Sequence, residues 1–388
     1  MIKRELGSVL KEYAAEFRSV LVVGPRQSGK TTLVQLTFPK KPYVSLENPD
    51  ERLLAETDPR AFLNRFLKGA ILDEVQRVPS LFSYLQEVLD KTKQDGLFIL
   101  TGSNNILMQQ NITQTLAGRL GILDLFPLSF REIEKSEKDY SLSSLIFKGS
   151  YPEIYQKNRK PDLWYNSYIR TYVERDVRQI KNIDNTSSFI KFVKICAGRI
   201  GQQLNISAIS NECGIDLKTV QSWLSVLEQT YVIKLLQPYY KNFNKRILKS
   251  PKLYFVDTGL ACSLLGIRKE EELALSHFRG ALVENYIILE CLKNNANQNL
   301  KNSFYYWRDN KGIEVDLIID FGDTFIPVEI KSAETFSKDF TNNLHKIISY
   351  SGVKNGIVIY NGKIQFKSSD GIRIVNWASF LKQKHIQQ

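Results

Sequence analysis

Sulfur and imidazole are scarce in this 388-residue chain, which has 4 cysteines, 2 methionines and 3 histidines. Cys196, Cys213, Cys262 and Cys291 lie far apart with no CxxC pair, and His277, His345 and His385 are equally scattered, so neither a disulfide framework nor a zinc site is expected. No apolar stretch approaches the roughly 18 residues that span a bilayer. The opening MIKRELGSVLKEYAAEF reads as an amphipathic helix without the apolar centre of a secretory signal. The expectation is a reduced, cytoplasmic protein with no membrane partner. Negative charge is also in deficit: the net charge is +12. That excess suits a polyanionic partner such as nucleic acid, although a generally basic solvated surface accounts for it equally well. At about 100 to 200 residues per domain, the length allows two to four domains, each with its own core.

What is present is more specific. Gly24-Pro25-Arg26-Gln27-Ser28-Gly29-Lys30-Thr31 satisfies the phosphate-loop pattern GxxxxGK followed by Ser or Thr, directly after the apolar run Val20 to Val23. A strand, a glycine-rich turn and a helix running through Thr32 would aim backbone N–H groups at phosphates, with Lys30 against the β and γ oxygens and Thr31 on Mg²⁺. Further apolar runs, Tyr43–Leu46, Ala70–Leu72 and Leu97–Leu100, alternate with helical stretches, as a parallel α/β sheet requires. Ala70 to Leu72 delivers Asp73 and Glu74, a Walker B pair in which Asp73 would hold Mg²⁺ and Glu74 would orient the attacking water. Thr101 to Asn104 ends another strand in small polar side chains, among them Ser103, that suit reading the γ-phosphate or capping a turn. Arg119 is a candidate arginine finger, with a surface ion pair as the alternative; Arg175 could reach the nucleotide from a helical lid, with a helical ion pair to an acid one turn away as the alternative. ATP and Mg²⁺ are the expected ligands.

Taken in order, GPRQSGKTTL, AILDEVQRVPSLFSYLQEVLD, FILTGSNN, LAGRLGILDLFPLSFREI, GSYPEIY and TYVERDV resemble the prokaryotic AAA+ family ATPases that carry a C-terminal domain of unknown function. The likeness runs over almost the whole chain. It implies Glu74 as catalytic base, the LTGS segment as a sensor, and Arg119 and Arg175 at recurrent arginine positions.

Residues 1–140 are read as the AAA+ core and 141–186 as a helical lid. In 187–257 the pattern becomes short helices followed by strands. Ile206–Glu212 and Leu217–Gln229, turned at Gly214 and capped by Asp216, give helix-turn-helix logic: Val220, Trp223, Leu224 and Leu227 pack, while Lys218, Gln221, Ser222 and Ser225 face outward. Strands over Tyr231–Pro238 and Lys252–Val256 would form a wing. Between Glu228 and Asp257 there is no acid, while Lys234, Lys241, Lys245, Arg246, Lys249 and Lys252 are all basic. If all six met phosphates of double-stranded DNA, affinity would fall with salt with a log–log slope of roughly −5. Docking of a protein partner is the alternative.

In 258–388, Asp316 ends GIEVD, and after a spacer of twelve residues Glu329-Ile330-Lys331 lies on a strand that places Glu329 and Lys331 on one face. With the helical Glu284 upstream, this is similar to the PD-(D/E)xK nuclease superfamily. The likeness implies an α/β restriction-endonuclease-like fold in which Asp316, Glu329 and Glu284 hold Mg²⁺ against a phosphodiester and Lys331 orients water. Ordinary ion pairing is the alternative for each residue. The whole reads as an α/β ATPase that binds, and in one version cleaves, DNA, with a homo-oligomer among its expected forms. The second version is a nucleotide-driven switch for a protein partner, with the nuclease-like domain inactive.

Overall fold

Strand β1 (Ser19–Val23) is buried along its whole length. Such a strand needs apolar cover on both faces, and it receives it. Val20 and Val22 meet Leu6, Leu10, Leu33 and Val34 on one side, while Leu21 and Val23 share the other with Phe62, Phe82, Leu85 and Leu89. The computed structural model describes residues 2–102, 116–173, 186–240 and 250–383. The first sheet adds β2 (Tyr43–Ser45), β3 (Ala70–Asp73), β4 (Phe98–Gly102) and β5 (Leu120–Asp124) in the order β2-β3-β4-β1-β5, parallel throughout. Parallel strands send their carboxyl ends to one edge, so Val23, Asp73 and Gly102 come together there. The amino-terminal helix begins at Gly7, later than the sequence suggests.

Short helices follow: Leu142–Lys148, Pro152–Gln156 and Pro161–Tyr168. Next come Thr186–Ala197, Ile206–Cys213 and Leu217–Gln229, and then β6 (Ile233–Leu236) paired antiparallel with β7 (Lys252–Phe255). Gly214 ends the second of these helices at φ 71°, a conformation glycine adopts without a Cβ clash. The Asp216 carboxylate then accepts from the Thr219 N–H at 3.0 Å to cap the third.

The carboxy-terminal sheet comprises β8 (Ser303–Arg308), β9 (Glu314–Asp320), β10 (Phe325–Lys331), β11 (Gly356–Tyr360), β12 (Phe366–Lys367) and β13 (Ile372–Asn376), in the order β12-β13-β11-β10-β9-β8. The β8-β9-β10 pairs are antiparallel and the β10-β11-β13 pairs parallel. Helix Arg279–Asn297 covers one face and Asn342–Ser351 the other. A single apolar cluster runs from Phe130 through Tyr165, Trp223 and Phe255 to Tyr286, Ile330 and Trp377. The helix–hairpin module therefore shares its core with the carboxy-terminal sheet.

Candidate active site

The loop after β1 has the backbone its glycines predict. A Cβ at Gly24 would run into the Leu125 carbonyl, and Gly29 sits at φ 92° as the N-cap of helix Lys30–Thr37. Gln27, at φ 59°, shares the left-handed conformation. The Lys30 ammonium spans the loop and donates to the carbonyls of Gly24 and Pro25 at 3.0 and 2.9 Å. Burial lowers its pKa, and the nearby Glu74 and Asp73 oppose that shift. The Ser28 hydroxyl is buried with no hydrogen-bond partner among the described residues. An orphaned donor, a buried ammonium and a helix N-terminus in one loop suit an anionic ligand.

Asp73, 5% exposed at the end of β3, is the convergence point. The Thr31 hydroxyl donates to its Oδ2 at 3.0 Å, Tyr43 to the same oxygen at 2.8 Å, and Thr101 to Oδ1. Burial first, and the bond to Asp73 second, push the Tyr43 phenol up to about 12. Thr31 beside Asp73 is the oxygen pair that would hold Mg²⁺, which would supply charge neutralisation at the phosphates. Glu74 follows at φ 59°, ψ 42°, unusual for a residue with a Cβ, and its carboxylate accepts from the Gln76 amide. That turn separates the directions of the two acids, leaving Asp73 under hydroxyls and Glu74 half-buried beside Lys30.

Arg4 was not apparent as a site residue from the sequence. Its guanidinium donates to the Ser28 carbonyl at 2.6 Å, the Phe126 carbonyl at 2.7 Å and Glu132 Oε1 at 3.0 Å. Glu132 is fully buried and also completes a capping box with Ser129. A lone arginine in an amphipathic segment carries no motif, so nothing in the sequence signals this brace.

Arg119 is paired within this chain. It forms a two-pronged pair with Asp90 at 2.6 and 2.9 Å, and its carbonyl accepts from the Ser19 N–H at the first residue of β1. The phosphate loop follows the last residue of β1, so the two lie at opposite sheet edges, roughly 13 Å apart at about 3.3 Å per residue. The surface-pair alternative describes Arg119 in this chain. Ser103, Arg175, Lys241, Lys245 and Arg246 lie outside the described residues.

Lys218 and Gln221 are exposed on the third helix of the module, as its pattern suggests. Lys252 is not available to phosphates. It is 1% exposed, and its ammonium is 3.0 Å from Glu284 Oε1 and 2.5 Å from Glu314 Oε1. Lys234 lies 3.6 Å from Glu228.

The carboxy-terminal set is brought to one region but divided between two lysines. Glu284 accepts from Lys252 and from the Tyr254 hydroxyl. Glu329 pairs with Lys331, whose ammonium is also 3.8 Å from Asp316; Asp316 Oδ2 accepts from the Ile330 N–H at 2.8 Å. Among the described residues, no group of three or more His, Cys, Asp or Glu could hold a metal ion. With Glu284 held by Lys252 and Tyr254, Glu329 by Lys331, and Asp316 by Lys331 and the Ile330 N–H, the three carboxylates are not turned to a common centre and do not fit the Mg²⁺ that a nuclease reading implies. Lys252, Tyr254 and Glu314 were missed because they enter from a hairpin assigned to another role and from the start of a strand.

A parallel sheet carrying a phosphate loop on its fourth strand, with an aspartate under Thr31 on the strand two places away, has the arrangement of a P-loop ATPase core. The family model described as an AAA domain matches residues 16–134. Two models described as domains of unknown function, DUF8612 and DUF4143, match 139–271 and 279–380. An uncharacterized protein of Mycobacterium tuberculosis is 28% identical over 375 residues, covering 95% of this chain and 82% of its own. One of Methanocaldococcus jannaschii is 25% identical over 379 residues, covering 85% and 82%. Among solved structures, a Walker-type ATPase of Pyrococcus abyssi is similar with a TM-score of 0.47 and 14% identity, over 68% of this chain and 96% of that one. No described helix is long and apolar enough to cross a membrane.

Proposed function

We propose that this protein hydrolyses ATP with Mg²⁺ and uses the nucleotide state to set how its helix–hairpin module grips double-stranded DNA. The hydroxyls of Thr31, Tyr43 and Thr101 meeting on Asp73, beside a Lys30 laid through the phosphate loop, carry the first half of the proposal. In this reading Lys30 and the loop N–H groups receive the β and γ oxygens, Thr31 and Asp73 would hold Mg²⁺, and Glu74 accepts a proton from the attacking water. Ser103 and Arg175 belong to the same proposal as sensor and lid contact.

The second half rests on the order of three helices and an antiparallel hairpin, which is that of a winged helix, with Lys218 and Gln221 outward. One joint connects it to the nucleotide edge. The Tyr231 hydroxyl donates to Asp124 at the end of β5, and the ring stands edge-on to Phe126 at 5.8 Å. Metal-dependent cleavage is not part of this reading, because the carboxylates it needs are paired with Lys252 and Lys331.

Glu74→Gln should retain ATP binding while hydrolysis falls on the order of 100-fold or more, the usual contribution of a positioned base. Lys30→Ala should lose binding itself. Nucleotide titration and phosphate release on the purified variants read both effects; wild-type turnover in Glu74→Gln would remove that residue from the chemistry.

A further inference from the structure

We propose that Lys252 is a built-in cation that takes the place of a divalent metal in the carboxy-terminal carboxylate set, making that set a latch between the helix–hairpin module and the sheet. Three separate segments meet at its ammonium. Lys252 starts β7 of the hairpin, Glu284 rises from helix Arg279–Asn297, and Glu314 starts β9. The side chain is 2% exposed, and its ammonium lies 5.5 Å from the centre of the Tyr306 ring. Glu314 is engaged on both oxygens, with Lys252 on Oε1 and Arg308 on Oε2 at 3.1 Å. The Tyr254 hydroxyl, two residues along the same strand, adds a second bond to Glu284.

The geometry of the hairpin makes this a joint rather than a local pair. Gln203 bridges to Lys252 on the antiparallel side, and its amide donates to the Tyr306 hydroxyl at 3.0 Å, so the ammonium is held where backbone from both regions is already in register. The Tyr306 hydroxyl in turn donates to the Ser250 carbonyl, two residues before Lys252. Lys331 plays the complementary part in the same set, bridging Glu329 and Asp316. A divalent ion would need these carboxylates turned to a common centre, and the buried ammonium of Lys252 with the half-buried one of Lys331 prevents that turn by electrostatics and by occupying the space. Removing one partner of such a pair leaves an uncompensated buried charge, so the latch is costly to open.

Two measurements on the full-length chain test the proposal. Mn²⁺ titration followed by electron paramagnetic resonance, without nucleotide, should give the same curve for wild type and for Asp316→Asn. A wild-type binding site that Asp316→Asn abolishes would overturn the proposal, whatever the ATPase assays show. The second is a thermal-unfolding cycle of Lys252→Met, Glu284→Gln and the double variant. The latch requires the double variant to lose less melting temperature than the two single losses added together. Strict additivity would show that the pair does not act as a unit and would overturn the proposal. Glu314→Gln with Lys252→Met repeats the cycle if Glu284→Gln does not fold, and is judged by the same criterion. Both readouts are independent of ATP hydrolysis, so failure of the latch leaves the nucleotide reading untouched.

Discussion

At the scale of single residues, the nucleotide site depends on direction as much as on identity. Glu74 takes a left-handed backbone that turns its carboxylate away from the hydroxyls crowding Asp73, so adjacent acids acquire different surroundings. Arg4 shows the same principle from the supporting side. Its three donors leave one planar group in three directions, toward the loop, toward the segment after β5 and toward the buried Glu132. Arg4→Ala should therefore lower kcat/KM for ATP on the order of 10-fold to 100-fold by loosening the phosphate loop. Arg4→Lys should recover little, since an ammonium cannot reach all three acceptors with a fixed fork. Steady-state ATPase assays with circular dichroism as a check on folding decide it; a kcat/KM within twofold of wild type for Arg4→Ala would rule out the brace.

Elements translate sequence patterns into surfaces. In helix Leu217–Gln229, Val220, Trp223, Leu224, Val226 and Leu227 are buried and Lys218 and Gln221 are exposed, as a 3.6-residue repeat requires. Local chemistry was enough here, because Asp216 caps the helix and Gly214 turns the chain before it. The hairpin that follows was only half legible. A run of cations with no acid nearby marks a basic strand in sequence, yet the acids that neutralise Lys252 come from 32 and 62 residues further along. With Lys252 removed from the phosphate-facing set, the salt slope of DNA binding should be shallower than the sequence alone suggests. Lys218→Ala should reduce that slope by about 1, whereas Gln221→Ala should weaken binding without changing it. Fluorescence anisotropy across a salt series separates the two; an unchanged slope in Lys218→Ala would take that residue off the phosphates.

For the whole molecule, buried polar groups bind the regions together. Lys293 donates to the Leu128 carbonyl, the Ser150 hydroxyl and Glu290, joining the end of the ATPase core, the helices after it and the carboxy-terminal helix. Asp257 accepts from the Ser150 and Leu260 N–H groups in the same interior, and burial pushes its carboxyl above the ordinary value of 3.8. The sign follows from proton counting. Above pH 3.8 the unfolded chain releases this proton while the folded chain keeps it, so the stability contributed by Asp257 falls as pH rises until the shifted value is passed. Asp257→Asn should thus show a less negative slope of melting temperature against pH than wild type over that acidic range. Parallel curves for the two proteins would refute the assignment.

Read alone, the sequence determined what neighbouring residues settle among themselves: the phosphate loop after a buried strand, the Walker acids, the parallel character of the first sheet, and the helix pair turned at Gly214. Such features depend on short-range backbone preference and side-chain period, which a few consecutive residues specify. Only the tertiary structure decided the partners of charges. It sent Arg119 to Asp90 at the far sheet edge, brought Arg4 under the phosphate loop, and buried Lys252 among carboxylates from distant strands and helices. An ionic side chain inside a protein must find its counter-charge in space, and that position is fixed by packing across the whole chain.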